Sequence, residues 1–342
     1  MASIAVLGAG VVGLSTAINI QATIPDSNVV IFADKFADDT TSSIAAGVYM
    51  PWGPGDKFKA PARSVQEYRD WCVDSFMWYD QLWRSPEAGE AGIQKISGYE
   101  VFCEKYQLPE FGVRYDFREM SQGELDRFPS EYTYGWFFTT LMAEGFKYLP
   151  WLMRRVNNNG RVCDKHIQSL AEVRDFDVVV NCLGLGSREV FGDQGVYPVR
   201  GHVVRVKAPW VKHFVFAHTV EGGSVYIFPG QDNVVLGGTH EVNEYGLDHD
   251  SNKYDTIIKQ TASMIPSLKR APVEKYSVGL RPVRSTVRVE RESILVGDKR
   301  VKVVHNYGHG ADGVALSWGT AVHAARHVEE ALRQQPGEIS KL

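Results

Sequence analysis

The chain has no long hydrophobic run. Nothing in its 342 residues approaches the ~18 consecutive apolar residues of a membrane-crossing helix, so no membrane span is expected. It is also short of cysteine: Cys72, Cys103, Cys163 and Cys182 are scattered without C-x-x-C spacing. They read as reduced core residues of an intracellular protein, neither a disulfide frame nor a metal site. A basic block is missing too, and the formal net charge is −4, so nucleic acid is not an expected partner. There is no internal repeat or low-complexity tract. A strand-like segment opens the chain at once, which leaves no room for a secretory signal. What remains is a chain of ordinary apolar content, long enough for a large core and two domains.

The stretch Ser3 to Asp34 carries the clearest chemistry. An apolar run, Ile4-Ala5-Val6-Leu7, has the length of a buried strand. Gly8, Gly10 and Gly13 follow in G-x-G-x-x-G spacing around Ala9, Val11 and Val12, and open a helix. A second apolar run, Val29-Val30-Ile31-Phe32, ends at Asp34. Each part has a task in a dinucleotide site: Gly8 permits the tight turn, Gly10 lets backbone approach a pyrophosphate, and Gly13 allows helix and strand to pack closely. The helix N-terminus offers N–H groups and a positive dipole end to the phosphates. An acid at Asp34 accepts hydrogen bonds from an unmodified ribose, which favours FAD or NAD over NADP. After it, Lys35 to Gly47 is rich in small and hydroxyl residues: Thr40, Thr41 and Ser42 can donate to phosphate, and Ala45-Ala46-Gly47 leaves room for a flat ring.

Further along, residues 61–85 carry Tyr68, Trp71, Cys72, Phe76, Tyr79 and Leu82 at helical spacing, a core stripe. Residues 122–150 mix aromatics with polar turns, and a helix is expected from Leu149 to Arg155. Asp177 to Ser187 reads as another strand of the nucleotide-binding sheet, followed by a glycine turn. Gly201 to Lys207 alternates like a β-strand, and Ser224 to Phe228 and Asn233 to Thr239 form a hairpin around Pro229-Gly230-Gln231-Asp232. Val278 to Pro282 precedes a strand-like Val287 to Val289. A strand at Val301 to Val304 then leads into a glycine-rich turn, His305 to Gly313, and a helix from about Trp318 to Leu332. This second glycine turn supplies a second positive helix end, suited to a ring that gains electrons.

The expected fold is α/β: a Rossmann-like domain for a dinucleotide, FAD or NAD, interrupted by a strand-rich, mostly antiparallel substrate-binding domain. The expected division is 1–50, 142–195 and 277–342 for the first and 51–141 and 196–276 for the second.

The segments VLGAGVVGLSTA, TTSSIAAG, KYLPWL, VVVNCLGLGSR, PVRG, APWVKHF, YIFPG, LGGT, GLRPVR and HNYGHG occur in an order that resembles the D-amino-acid oxidase and D-aspartate oxidase family almost end to end. GVVGLSTA, AGEAG, YLPWL and NCLGLGSR look more like its D-aspartate oxidases. The resemblance implies non-covalent FAD and oxidation of a D-amino acid to an imino acid, which hydrolyses to a 2-oxo acid and ammonia while O2 becomes hydrogen peroxide. It implies cofactor contacts at Gly8, Ala9, Gly10, Val11, Val12, Gly13, Asp34, Lys35, Thr40, Thr41, Ser42, Ala46, Gly47, Val48 and Ile167. The second glycine turn, Gly310, Ala311, Asp312, Gly313, Val314 and Ala315, would lie by the flavin ring. Arg281, in GLRP, would hold the substrate α-carboxylate through two parallel hydrogen bonds. The Tyr226 hydroxyl would touch the same carboxylate, and the Ala311 carbonyl would accept from the amine. No catalytic base is needed once Cα is placed over the ring. His305 and His309 read as turn and flavin-wall residues.

Substrate choice departs from the family pattern. Where D-aspartate oxidases carry an arginine after LGGT this chain has His240, and a second expected arginine is replaced by Phe216. The loop Ala217 to Gly223 is short, as in the acidic-substrate branch. His240, His218 or a neighbouring lysine could supply the missing cation, a histidine only when protonated. Expected partners are therefore a D-amino acid, acidic rather than neutral, and O2. The terminal Ser340-Lys341-Leu342 spells a peroxisomal address read by an import receptor. The alternatives are a D-amino-acid oxidase acting on neutral or basic D-amino acids and, further, a glycine or sarcosine oxidase sharing the cofactor half but not the pocket.

Overall fold

The computed structural model describes residues 1–51, 62–106 and 113–333; Ser340-Lys341-Leu342 lies outside these residues. In chain order the strands are β1 (Ser3–Leu7), β2 (Asn28–Ala33), β3 (Ile93–Phe102), β4 (Tyr115–Glu119), β5 (Tyr134–Ala143), β6 (Arg161–Asp164) and β7 (Val178–Asn181). They continue with β8 (Tyr197–Val206), β9 (His213–His218), β10 (Ser224–Pro229), β11 (Val234–Gly237), β12 (Glu241–Val242), β13 (Val273–Val296) and β14 (Lys299–His309). The helices are α1 (Val11–Thr23), α2 (Thr41–Ile44), α3 (Val65–Trp83), α4 (Gln122–Leu125), α5 (Gly145–Asn159), α6 (Ser187–Val190), α7 (Ser251–Met264) and α8 (Gly313–Arg333). Among the described residues no helix is long and apolar enough to cross a membrane.

All the strands join one sheet, in the order β4-β5-β3-β9-β10-β11-β8-β13-β14-β7-β1-β2-β6, with β12 beside β8. One end is parallel. There β1 lies between β2 and β7, and β7 pairs with β14. Ile4 to Leu7, Val29 to Ile31 and Val178 to Val180 are fully buried, as continuous apolar strands must be when both faces are covered. Helices α1 and α8 pack together on this part, and α3 packs on α8. The last contact is close because residue 319 is glycine: a Cβ there would overlap the Trp71 backbone, and the Gly319 N–H donates to Ser75 Oγ at 2.8 Å. The other end is mostly antiparallel, and its hairpin β10–β11 falls where the sequence places it. The fold is thus the mixed α/β arrangement expected.

Strand β13 connects the two ends. Over Val273 to Val283 it pairs with β8, and over Val283 to Val296 with β14. Val283 faces Tyr197 on one side and His309 on the other, and the register with β14 is irregular between Val283 and Arg288. The sequence suggests two separate pieces here. The strand is continuous because neighbours on both flanks satisfy its backbone through the bend at Pro282.

Other elements are longer than expected for similar reasons. Helix α5 starts at Gly145 and runs through Pro150. The amide lost at proline is outweighed by burial of Tyr148, Leu149, Trp151, Leu152 and Val156. His305 to His309 belong to β14, not to a turn, and helix α8 begins directly at Gly313. Residues 134–143 form the ten-residue strand β5, which the mixed composition of that region conceals.

Candidate active site

Strands β1, β7 and β14 run parallel, so the turns after them gather at one sheet edge. These are the Gly8 turn, the Gly184 turn and the Gly310 turn. In open α/β sheets this carboxyl edge is where ligands bind. Gly8 has φ +106°, and a Cβ on it would stand 2.5 Å from the Cys182 carbonyl oxygen. A Cβ on Gly13 would overlap the Gly8 carbonyl. Gly10 is different, because the nearest atom to its missing Cβ is Ser42 Oγ at 3.3 Å. The first and third glycines therefore fix the turn and the helix, while the second leaves backbone approachable. Gly10 is the N-cap of α1, with no side-chain cap and no acid in the first turn, so the positive helix end is left for an anion.

The loop after β2 is placed against this turn. Ser42 Oγ accepts from the Val11 N–H at 3.1 Å, and Thr41 Oγ1 donates to the Leu280 carbonyl at 3.1 Å. Thr40 caps α2, and its own hydroxyl donates to the Ala37 carbonyl at 2.8 Å. Gly47 has φ +79°, and its backbone lies on β5, where Val48 bridges Met142. Ala9 and Val11 are buried, Val12 and Ala46 half-buried and Lys35 exposed. Asp34 is exposed at the end of the β2 run, with His166 Nδ1 2.7 Å from its Oδ2. His166 was not singled out in the sequence; its only signal is its place just after β6, the strand beside β2. The Ile167 side chain is buried among Ala5, Leu7, Leu170 and Val179, so only its backbone is left to meet a ligand.

Arg281 lies at the same edge. It is one residue beyond Leu280, to which Thr41 is bonded, and two before Val283, on whose side chain a Gly310 Cβ would rest at 3.2 Å. Its guanidinium extends across β8 at Gly201, where any Cβ would overlap it, and Nη1 donates to the Thr239 carbonyl at 3.2 Å. From the far side the Tyr226 ring lies over Gly237 and Gly238, and a Cβ on either would overlap it. Three glycines on adjacent strands thus open a trough in which Arg281 and Tyr226 converge. Phe216 and Phe228 continue the wall, with ring centroids 6.3 Å and 5.0 Å from that of Tyr226.

The histidines differ in setting. His240 follows Thr239 at the end of the trough and is exposed to solvent on one side; desolvation of its ring, then the Arg281 charge, hold it below the ordinary histidine range. His218 Nε2 is 3.0 Å from Oε1 of Glu100, a buried carboxylate, and its ring stacks on Phe102. His309 is buried away from the trough with Nε2 3.0 Å from Thr320 Oγ1, and burial pushes it down to about 3. His305 is buried between Asn181 and Glu292, and burial lowers it too. Neither has the position of a base. Ala311 is exposed in the Gly310–Asp312 turn that leads into α8.

A G-x-G-x-x-G turn opening a helix at the carboxyl edge of a parallel sheet marks a dinucleotide-dependent protein of the open α/β class. The comparisons resolve which. The profile of the FAD dependent oxidoreductase family matches residues 3–327. Human D-aspartate oxidase is 40% identical over 99% of this chain and 98% of its own length. A D-amino acid oxidase of Dugesia ryukyuensis is 31% identical over 96% and 98%. Among solved structures, glycine oxidase from Bacillus cereus superposes with a TM-score of 0.75 at 16% identity, covering 98% of this chain and 96% of that one, a likeness of fold. The chain belongs to the D-amino-acid oxidase and D-aspartate oxidase family of FAD-dependent oxidoreductases, and its cofactor is FAD.

The residues present fit that group: the Gly10 backbone is approachable, and no acid stands in the first turn of α1. The trough itself gives a test. Gly201→Ala forces the guanidinium aside while leaving the glycine turn untouched. We expect KM to rise at least tenfold for every substrate, equivalent to about 1.4 kcal/mol, with FAD retained; steady-state kinetics at saturating FAD check it. An unchanged KM would show that Arg281 does not work from this position.

Proposed function

We propose that the chain is an FAD-dependent oxidase that deaminates D-amino acids, acidic ones first: D-aspartate, then D-glutamate. Amino acid, O2 and water become 2-oxo acid, ammonia and hydrogen peroxide. The observation that carries this reading is the convergence of Arg281 and Tyr226 in the glycine trough, at the edge where the cofactor turns meet. The preference for acidic substrates is supported by the 40% identity to human D-aspartate oxidase.

Bound FAD supplies the acceptor for the substrate's α-hydrogen and its electron pair. The protein's own work is placement. The Arg281 guanidinium pairs with the α-carboxylate, each charged hydrogen bond contributing roughly 1.5–3 kcal/mol, and the Tyr226 hydroxyl donates to the same group. The Ala311 carbonyl accepts from the amine, which fixes the third substituent and selects one hand of the substrate. The aromatic wall of Phe216 and Phe228 excludes water around the side chain. That wall is also the observation favouring a second reading, in which neutral D-amino acids are preferred.

The domain division given above is proposed on the same basis: β1, β2, β6, β7 and β14, the parallel strands, all fall in 1–50, 142–195 and 277–342. We also propose delivery to the peroxisome through Ser340-Lys341-Leu342, which suits a producer of peroxide. A fluorescent fusion ending in this tripeptide should be punctate, and the same fusion lacking it diffuse; equal distributions would exclude the signal.

Two kinetic outcomes follow from the trough. Arg281→Ala should keep its flavin yet lose at least a hundredfold in kcat/KM with every D-amino acid; kinetics near wild type would remove Arg281 from the site. The second concerns His240, whose proton is disfavoured in the free protein by desolvation of the ring and then by the Arg281 charge. A second substrate carboxylate favours that proton, so D-aspartate binding takes one up and weakens as protons become scarce. The ratio of kcat/KM for D-aspartate over D-alanine should exceed one and fall as pH rises from about 6 to about 8. A flat ratio excludes His240 as the cation, and a ratio below one defeats the acidic preference.

A further inference from the structure

The clamp raises a question of support. Arg281 is held by the Thr239 carbonyl, yet Thr239 lies where the strand ladder is interrupted. The pairing of β11 with β8 covers Val234 to Leu236, and β8 is next paired by Glu241 and Val242 of β12. Between them, Gly238, Thr239 and His240 cross the gap without ladder pairs of their own. A carbonyl on such a segment orients a guanidinium only if something else fixes it.

That anchor is His202. Thr239 Oγ1 accepts from the His202 backbone N–H at 2.8 Å, and His202 Nδ1 lies 3.1 Å from the same oxygen. The His202 side chain is fully buried, with the Tyr254 ring edge-on at 5.3 Å between centroids. Glu241 Oε2 lies 3.5 Å from the same Nδ1. His202 follows Gly201, the residue across which the guanidinium lies, and successive strand residues point to opposite faces. One dipeptide of β8 therefore opens the floor under Arg281 and, from behind, fixes the carbonyl at its tip.

We infer that His202 is a positioning residue for the oxidase: through Thr239 it sets the orientation of Arg281 and hence the affinity for any substrate α-carboxylate. This rests on the reading of Arg281 as the carboxylate clamp. The link runs through a hydroxyl, so it is separable from the bulk of the imidazole. Thr239→Val keeps the shape and the carbonyl and removes only Oγ1. Thr239→Ser restores the oxygen.

The test measures KM and kcat for D-aspartate and D-alanine at saturating FAD, alongside FAD dissociation by flavin fluorescence. We expect Thr239→Val to raise KM about five- to twentyfold for both substrates, and His202→Ala, which keeps the backbone N–H donor to Thr239 Oγ1, about two- to fivefold, with kcat changed less than KM. FAD affinity should be unchanged, and Thr239→Ser should lie within twofold of wild type. Combined, the two changes should cost little more than Thr239→Val alone, as residues in one chain of contacts do. Thr239→Val carries the test if His202→Ala does not fold. Wild-type KM in Thr239→Val would overturn the inference, as would fully multiplicative effects or a parallel loss of FAD affinity. If Arg281→Ala itself leaves KM unaltered, the carboxylate reading fails. If Arg281→Ala abolishes activity while Thr239→Val is normal, only the present inference fails.

Discussion

The molecule depends on one strand being shared. Strand β13 is bonded to the antiparallel ladder through β8 until Val283, and from Val283 onward to the parallel part through β14. Arg281 stands two residues before the exchange. Its backbone thus belongs to the substrate side, while its neighbours Pro282 and Val283 stand where a Cβ on Gly184 or on Gly310, in the turns after β7 and β14, would meet them at 3.4 Å and 3.2 Å. The backbone that carries this cation cannot move relative to the turns after β7 and β14 without breaking strand pairs to β8 or β14, and the guanidinium is oriented from there by the Thr239 carbonyl. Preorganisation of this kind lets positioning, not acid–base chemistry, carry the acceleration.

The site is built as much from missing atoms as from functional groups. Gly201, Gly237 and Gly238 each make room for a side chain from an adjacent strand. Arg281 and Tyr226 come from β13 and β10, with β8 and β11 between them, and meet only because those intervening residues have no side chain. The same device works at the parallel end, where Gly8 and Gly13 bring turn, strand and helix into contact. Charge is arranged more sparingly. Arg281 reaches into the trough as a cation, and desolvation of the His240 ring, then the Arg281 charge, hold that histidine below its ordinary range.

Much of this was legible in the sequence where a local rule governs. The spacing of Gly8, Gly10 and Gly13 before a helix, with Asp34 after the second strand, reports the turn because each glycine answers a steric demand nearby. The stripe from Tyr68 to Leu82 reports its helix for the same reason, and all six of its named residues are buried. What was not legible depends on partners distant in the chain. The continuity of β13 through Pro282 is decided by β8 and β14, and the strand character of His305 to His309 by β7 and β13. His166 beside Asp34 and His202 behind Thr239 carry no motif, because their roles arise from register between strands. The family resemblance supplied Arg281 and Tyr226; the structure adds why they can meet.

The most direct test of the central claim is anaerobic mixing of the purified yellow protein with D- and L-aspartate while the flavin absorbance is followed. If Arg281 holds the α-carboxylate so that one hand of substrate faces the cofactor, D-aspartate bleaches the flavin in a single turnover and L-aspartate leaves it oxidised. A colourless protein, or equal bleaching by both enantiomers, would contradict the account.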